Sequence, residues 1–585
     1  MTERPWHRWV VGERAGRTAF LLAAVLALPF CVTGLFVDDY FHQLALEGSP
    51  LMPVSSWDLF TFAWGDPARL QPLIEHGPYS WWTLPELKFS FLRPLSVALA
   101  HFDHLAFGRA FFWHHLHSVA WYLALVATVT ALFRRALGRA SPLAALAAVL
   151  FALDDSHTVI VGWVANRNAL VATVFALLGV LAHVRWRADG QRLGLPLSLL
   201  ACALGLAGGE PALGAIAYLV AYELTVAPGS WRTRALALLP IATLGLAYIA
   251  LYRALGSGAL GSEIYVDPTR EPLRFLVEAP PKALALLGAQ FLGSTADLWL
   301  LLQSARPVLV ALGVLAVVVM TVLTRAVWPS LEASERAGLR WLGVGAAMSV
   351  VPVLATFPLN RLLLMPSIGG SAFLALVLWR GWSAEARVPR FGARLLFVTT
   401  VLLGLVSWPV TCVAMKLGGD EQTRSSLETS LTDAQLSGRV FVFVAPDPLA
   451  SLYVPMVRVW NDKPLPRAFV TLSFAPFAHR LTRTAPDTVE LEVVDGRMLE
   501  TVFEQLMRSS KFPVPVGLRV RLDGAWLTVL ALDAGLPRRV QVQFDVNPEQ
   551  GDYLLAKWEG GQLAPLTLPA VGQSLELPRL RGVLP

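Results

Sequence analysis

Charge is scarce in this chain. Aspartate, glutamate, lysine and arginine make up 15% of its 585 residues, against roughly a quarter in ordinary soluble domains. With 55% hydrophobic residues and a mean hydropathy of +0.54, residues 1–415 read as a polytopic membrane protein rather than a string of soluble domains. Cysteine is scarcer still. Cys31, Cys202 and Cys412 are the three present. Each lies in an apolar run with no CxxC or Cys/His spacing, which supports neither a disulfide framework nor a zinc site. No GxxxxGK[ST] loop is present, which argues against a nucleotide-driven pump. No internal repeat is visible. The first apolar run, 18–37, is longer than the core of a secretion signal and no small-x-small cleavage site follows it, so it reads as a retained helix. A net charge of +6 is modest for this length and does not point to nucleic acid.

What is abundant is long apolar sequence. A membrane helix needs about 20 apolar residues. About eleven candidates meet or approach that length: 18–37, 111–133, 141–156, 161–183, 193–208, 212–228, 234–254, 306–327, 340–358, 361–380 and 392–413. Arginines cluster before the first span (Arg4, Arg8, Arg14, Arg17) and then at every second connection. These connections carry Arg134, Arg135 and Arg139; Arg185, Arg187 and Arg192; Arg232 and Arg234; Arg325, Arg336 and Arg340; and Arg380, Arg387, Arg390 and Arg394. The positive-inside rule then places the N-terminus in the cytoplasm. The stretch "FSFLRPLSVALAHFDHLAF", 89–107, is apolar but carries Arg93, His101, Asp103 and His104. It is expected as a helix lying along the outer interface. Two large outer loops follow from this topology, 38–110 and 255–305. After residue 420, short β-type runs such as "GRVFVFVAP", "TVELEVV" and "AWLTVLAL" alternate with Gly, Pro and Asp turns. Residues 420–585 are therefore expected as a periplasmic β-rich or α+β domain. The tryptophans of "SWWTL" and "FFWHH" are expected as interfacial anchors. His114, His115 and His117 could hold a metal, but the neighbours His114 and His115 point apart on a helix, which disfavours a site among all three.

The same topology sorts polar residues onto the outer side. Asp38, Asp39 and His42 follow the first span in "VDDYFH". Asp154, Asp155 and His157 end the third, and Asn166, Arg167 and Asn168 begin the fourth. Glu210 joins the fifth and sixth, and Asn360 and Arg361 join the ninth and tenth. Ionisable groups near membrane depth are expensive and commonly functional. Carboxylates bind divalent cations or act as general bases. Arginine matches phosphate with two donors and keeps its charge in apolar surroundings. Together they suit a reaction with a lipid-borne phosphate as leaving group.

Four stretches in order carry a family likeness: "VDDYFH", "FLRPLSVALAHFDHLAFGRAFFWHHLHSVAWYLAL", "SHTVIVGWVANRNALVATVFALL" and "LNRLLLMPSIGGSAFLALVL". "GGEPALGAIAYLVAYEL" adds a glutamate-bearing helix connection. Across residues 18–380 the chain resembles the GT-C-fold integral membrane glycosyltransferases. Within these it is most similar to bacterial relatives of the transmembrane O-mannosyltransferase family that carries TPR repeats. It departs from that family in showing no TPR period after residue 420 and no lysine before Glu210.

The resemblance implies a GT-C-like transmembrane domain at 1–415 and a glycosyltransferase that moves a sugar from a polyprenyl-phosphate donor to a hydroxyl on a protein or glycan acceptor. It implies an inverting reaction at the periplasmic face of a bacterial inner membrane. One of Asp38 and Asp39 would be the catalytic carboxylate that takes the proton from the acceptor hydroxyl or orients it through a metal, with His42, His157 and Asn360 in support. Asp154, Asp155 or Glu210 would supply a second acidic group. Arg361, Arg167 and Arg93 would face the lipid phosphate. A divalent metal, Mg or Mn, would be held by Asp39 and Asp155. The competing readings are a transporter or flippase of lipid-linked glycans, and an inactive scaffold for a periplasmic partner.

Overall fold

The structure, a computed structural model, describes residue 12 and residues 14–580. Arg4 and Arg8 lie outside the described residues. The chain divides into two compact units. The first holds the chain up to Leu35, Leu92–Leu255 and Asp267–Lys416. The second holds Phe36–Phe91, Gly256–Val266 and the chain from Leu417 onward.

The first unit is helical. Among the described residues, six helices are long and apolar enough to cross a membrane: Ala15–Val32, Phe111–Leu137, Val164–Asp189, Trp231–Ala254, Gln303–Ser330 and Arg387–Leu427. A seventh is counted if Pro142–Leu153 and Asp155–Gly162, bent by 44°, form one span. Four more of the eleven expected spans are helices that do not meet this measure. Gly194–Gly208 has 15 residues, Leu213–Thr225 has 13 and Pro366–Trp382 has 17. At 1.5 Å per residue these fall short of a hydrocarbon core about 30 Å thick. Ala333–Val353 has 21 residues but carries Glu335, Arg336 and Arg340 in its first half. The three cysteines are buried free thiols.

The stretch 255–305, expected as a loop, contains the 21-residue helix Pro272–Leu292. Pro280 and Pro281 read as breakers, and Glu278 and Lys282 interrupt the apolar run. On the helix those charges close on one another: Arg274 Nε donates to Glu278 at 2.5 Å and Lys282 Nζ at 2.8 Å, both one turn apart. Such pairs support the helix through the prolines.

The second unit has three sheets. Strand Lys88–Ser90 pairs with Thr61–Trp64 on one side and Gly258–Leu260 on the other, both antiparallel. A six-stranded antiparallel sheet is built around Ala525–Asp533 and Leu536–Phe544, whose alternating burial marks a sheet with one covered face. The third sheet pairs Arg439–Val442 in parallel with Ala468–Thr471 and with Tyr553–Glu559. The crossover between the first two strands carries helix Tyr453–Trp460, as parallel neighbours require.

Trp81 and Trp82 are not interfacial anchors. They are 2% and 0% exposed in the core that the segment 59–89 shares with the C-terminal strands. Their indole N–H groups donate to the carbonyls of Leu472 at 2.8 Å and Glu504 at 3.2 Å. A buried indole satisfies its donor this way. Sequence position beside a loop carries no information about that long-range partner.

Candidate functional site

The second unit carries the aspartate pair. Asp38 and Asp39 open helix Asp38–Leu46, where the N-terminal dipole favours carboxylates. Val37, just before them, has φ 49° and ψ −112°. A β-branched residue in that region is strained by about 1–3 kcal/mol, and such strain concentrates at functional sites. Surrounding contacts hold it. Gln422 Oε1 accepts from the Val37 N–H at 3.3 Å, and the Tyr40 hydroxyl lies 3.0 Å from Thr423 Oγ1.

The two carboxylates differ. Asp39 is 1% exposed and its Oδ2 accepts from the Phe36 N–H at 3.0 Å, folding the chain back on the helix start. Asp38 is half-buried, and the Tyr453 hydroxyl donates to its Oδ1 at 2.6 Å. Burial, together with the Asp38 charge, pushes the Tyr453 phenol well above its ordinary value, so it remains a donor. Tyr79 is raised by burial too, and its hydroxyl is committed to the Phe62 carbonyl. His42 is buried with its ring edge on Phe60, centroids 4.8 Å apart.

The first unit holds three polar groups of distinct character. In one, Asp154 caps the turn Asp155–His157, its Oδ1 accepting from the Ser156 N–H at 3.0 Å. Its Oδ2 accepts from Gln290 Nε2 at 3.1 Å. Turn Asn360–Leu363 packs on the turn Asp155–His157. In it, Asn360 Oδ1 accepts from the Ala296 N–H at 2.8 Å, and the Arg361 guanidinium lies 5.0 Å from the Trp163 ring centre. That is cation–π distance. Asp297 belongs to the same group: burial raises its carboxyl against the lowering effects of the Thr295 hydroxyl and Arg361. His157 is fully buried between the Tyr122 hydroxyl (3.4 Å) and Ser367 Oγ (3.2 Å), which makes it a tie between helices.

Beside this group an apolar groove of about 420 Å³ follows helix Ala333–Val353 from Arg340 to Val350, a run of about 15 Å. Leu363, Pro366 and Gly370 form its other wall, and Gln290 lines it. The Gln290 Oε1 is buried with no hydrogen-bond partner among the described residues. Gly370 makes its room: a Cβ there would meet Gln290 Cδ at 2.7 Å. Gln290 and Asp297 were missed in the sequence because both fall in the stretch expected as a loop.

The second group surrounds Arg167, which is 5% exposed. Its NH1 pairs with Asp103, its Nε donates to Ser118 Oγ at 2.8 Å, and its NH2 donates to the His114 carbonyl at 2.7 Å. His117 accepts from the Trp121 indole through Nε2 at 3.0 Å, so its Nδ1 carries the proton and donates to Asp103 at 2.6 Å. Burial would raise the Asp103 carboxyl, but the bond from His117 and the Arg167 charge outweigh it and hold it low. His115 turns elsewhere, its Nε2 lying 2.8 Å from the Gly34 carbonyl. In the third group, Arg93 Nε donates to Glu210 Oε2 at 2.9 Å, and Gly209 leaves space for Arg93 and Asn168. This arginine answers for the lysine that is missing before Glu210.

Among the described residues no group of three or more His, Cys, Asp or Glu side chains is gathered as a metal ion needs. Asp39 and Asp155 are therefore not part of such a group among the described residues.

No family model matches the chain, and no curated protein matches it. Among solved structures the chain is similar to the crystal structure of ArnT from Cupriavidus metallidurans bound to undecaprenyl phosphate, with 14% identity and a TM-score of 0.34, over 77% of this chain and 89% of that one. A likeness at that level carries no argument about activity.

Proposed function

We propose that the chain is a membrane-embedded glycosyltransferase that moves a sugar from a polyprenyl-phosphate donor to an acceptor hydroxyl, with its reactive residues on the periplasmic face of an inner membrane. The observation that carries this reading is the apolar groove lined by Gln290, which donates to Asp154, with Arg361 two residues before the groove residue Leu363 in the turn Asn360–Leu363. A groove of that kind takes a lipid tail, and a guanidinium beside it takes the phosphate.

Asp38 acts as the base. It takes the proton of the acceptor hydroxyl, the acceptor oxygen bonds to the anomeric carbon, and the bond from that carbon to the phosphate oxygen breaks. The polyprenyl phosphate leaves as the anion. A single displacement of this form inverts the anomeric centre. Asp39 serves by shaping the turn, and Tyr453 positions Asp38. Arg167 and Arg93 hold the helix Pro94–Phe107, Arg167 through Asp103 and Ser118 and Arg93 through its bond to Glu210.

The test is transfer of labelled hexose from polyprenyl phosphate in membranes containing Asp38→Asn or Arg361→Gln. A positioned base contributes about 10²–10⁴-fold, and Asp38→Asn is expected to lose that much. Full activity of a folded Asp38→Asn chain would sink the mechanism and return the transporter and scaffold readings.

A further inference from the structure

We propose that Gln290 reads the sugar of the lipid-linked donor, its Oε1 accepting a hydrogen bond from one sugar hydroxyl at the apolar groove. This rests on the donor class proposed above and names the part of that donor that the side chain recognises.

Gln290 belongs to helix Pro272–Leu292 and is 7% exposed. Its Nε2 donates to Asp154 Oδ2 at 3.1 Å. That bond fixes which way the amide faces. A carboxylate only accepts, so the NH2 end belongs on Asp154 and the carbonyl end is the one left for the groove. The other Asp154 oxygen accepts from the Ser156 N–H at 3.0 Å, which ties the carboxylate to its own turn. Gly370 closes on the amide as well, since a Cβ there would meet Gln290 Cδ at 2.7 Å and Nε2 at 3.0 Å. Held in this way, Oε1 is buried with no hydrogen-bond partner among the described residues.

A role as a tie between helices accounts for Nε2 alone. A buried acceptor without a donor gives up its water and receives nothing in return, and such atoms call for a ligand or an ordered water to complete them. This one lines a groove of about 420 Å³, within the range of ligand pockets. Among the described residues that line the groove, the other side chains with polar atoms are Arg340 and Trp328, and both only donate. Gln290 is therefore the one side-chain acceptor of the lining.

The chemistry of the donor decides what meets it. A polyprenyl tail has no O–H or N–H. An ionised phosphate diester presents acceptor oxygens alone. The hydroxyls of the sugar are the donors in the molecule, so a sugar hydroxyl completes Oε1 where tail and phosphate do not. A donor lacking that hydroxyl leaves a buried acceptor unpaired and is expected to be used about 5- to 150-fold less well.

The test separates this inference from the reading beneath it. Membranes containing the full chain are supplied with polyprenyl-phosphate-linked glucose, galactose, mannose or N-acetylglucosamine, and the sugar that is transferred is then supplied in each of its monodeoxy forms. On the wild-type chain one monodeoxy form is expected to lose kcat/KM by the factor above. Gln290→Met keeps the length of the side chain and removes the acceptor. In it the parent and that monodeoxy donor are expected to be used within about threefold of one another. A purely structural role for Gln290 would change the use of both donors together and leave their ratio alone. Equal use of every monodeoxy form by the wild type, with the parent sugar still transferred, would overturn the proposal and leave Oε1 to an ordered water, and this arm needs no variant to fold. The same loss persisting in Gln290→Met would overturn it too. Transfer of none of the sugars would instead remove the donor reading, and this inference with it.

Discussion

Tyr453→Phe is the sharpest probe of the aspartate site. The substitution removes one oxygen, that of the hydroxyl that donates to Asp38 Oδ1 at 2.6 Å, and leaves the ring in its pocket, where the residue is 9% exposed. A hydrogen bond to a charged group contributes about 1.5–3 kcal/mol. If it orients the base in the transition state, its loss slows transfer by about 10- to 150-fold. A double-mutant cycle separates positioning from general destabilisation. The effect of Tyr453→Phe is measured in the wild-type background and again on Asp38→Asn, with sugar transfer and thermal unfolding followed in parallel. The tyrosine effect is expected to shrink to within about threefold on the asparagine background, because its partner is already disabled. Equal effects in the two backgrounds would show that Tyr453 does not act through Asp38 and would refute the reasoning.

Other expectations follow from the buried groups. Burial pushes His479 in the second unit down to about 4 from its ordinary 6.5. The folded chain therefore keeps this ring neutral where the unfolded chain charges it. The stability that this protects is complete above pH 6.5 and is lost as pH falls toward 4, by about 3 kcal/mol in all. Thermal melts of the full chain at pH 7 and pH 4.5 should show the loss, and His479→Gln should flatten it; an identical slope in the variant would refute the assignment. Arg167→Met leaves Asp103 buried without its cation and is expected to destabilise the first unit by about 3–5 kcal/mol. Adding Asp103→Asn should recover part of that loss in melting experiments. Gly370→Ala is expected to push Gln290 off Asp154 and lower donor use about two- to tenfold, read as a rise in KM for the lipid-linked sugar; an unchanged KM would remove Gln290 from the donor site.

The positions of the helices were legible in the chain because hydropathy is a local property. Every one of the eleven expected spans coincides with a helix, although six have the length and apolarity of a full crossing. The β-rich character after residue 420 was legible for the same reason, since alternation and turn residues need no distant partner to be seen. The helix Pro272–Leu292 escaped because its evidence is a set of side-chain pairs that form only once the helix exists.

The roles of the polar residues were not legible. "VDDYFH" presents two equivalent aspartates, and they became different through contacts from far along the chain. Gln422 and Thr423 hold the strained turn, Tyr453 reaches Asp38, and Asp39 is closed off against Phe36. In the sequence Arg167 is as suited to a lipid phosphate as Arg361; the fold pairs it with Asp103 and Ser118. By itself the sequence determined a polytopic helical protein with acidic and arginine groups at the helix connections and a β-rich end. Which carboxylate is reachable, which arginines are already matched, and that residues 36–91 fold with the C-terminal strands, only the tertiary structure decided. The physical reason is that a span's preference for lipid is written in its own neighbouring residues, whereas the state of a buried charge is set by whichever distant group the fold brings to within hydrogen-bond reach.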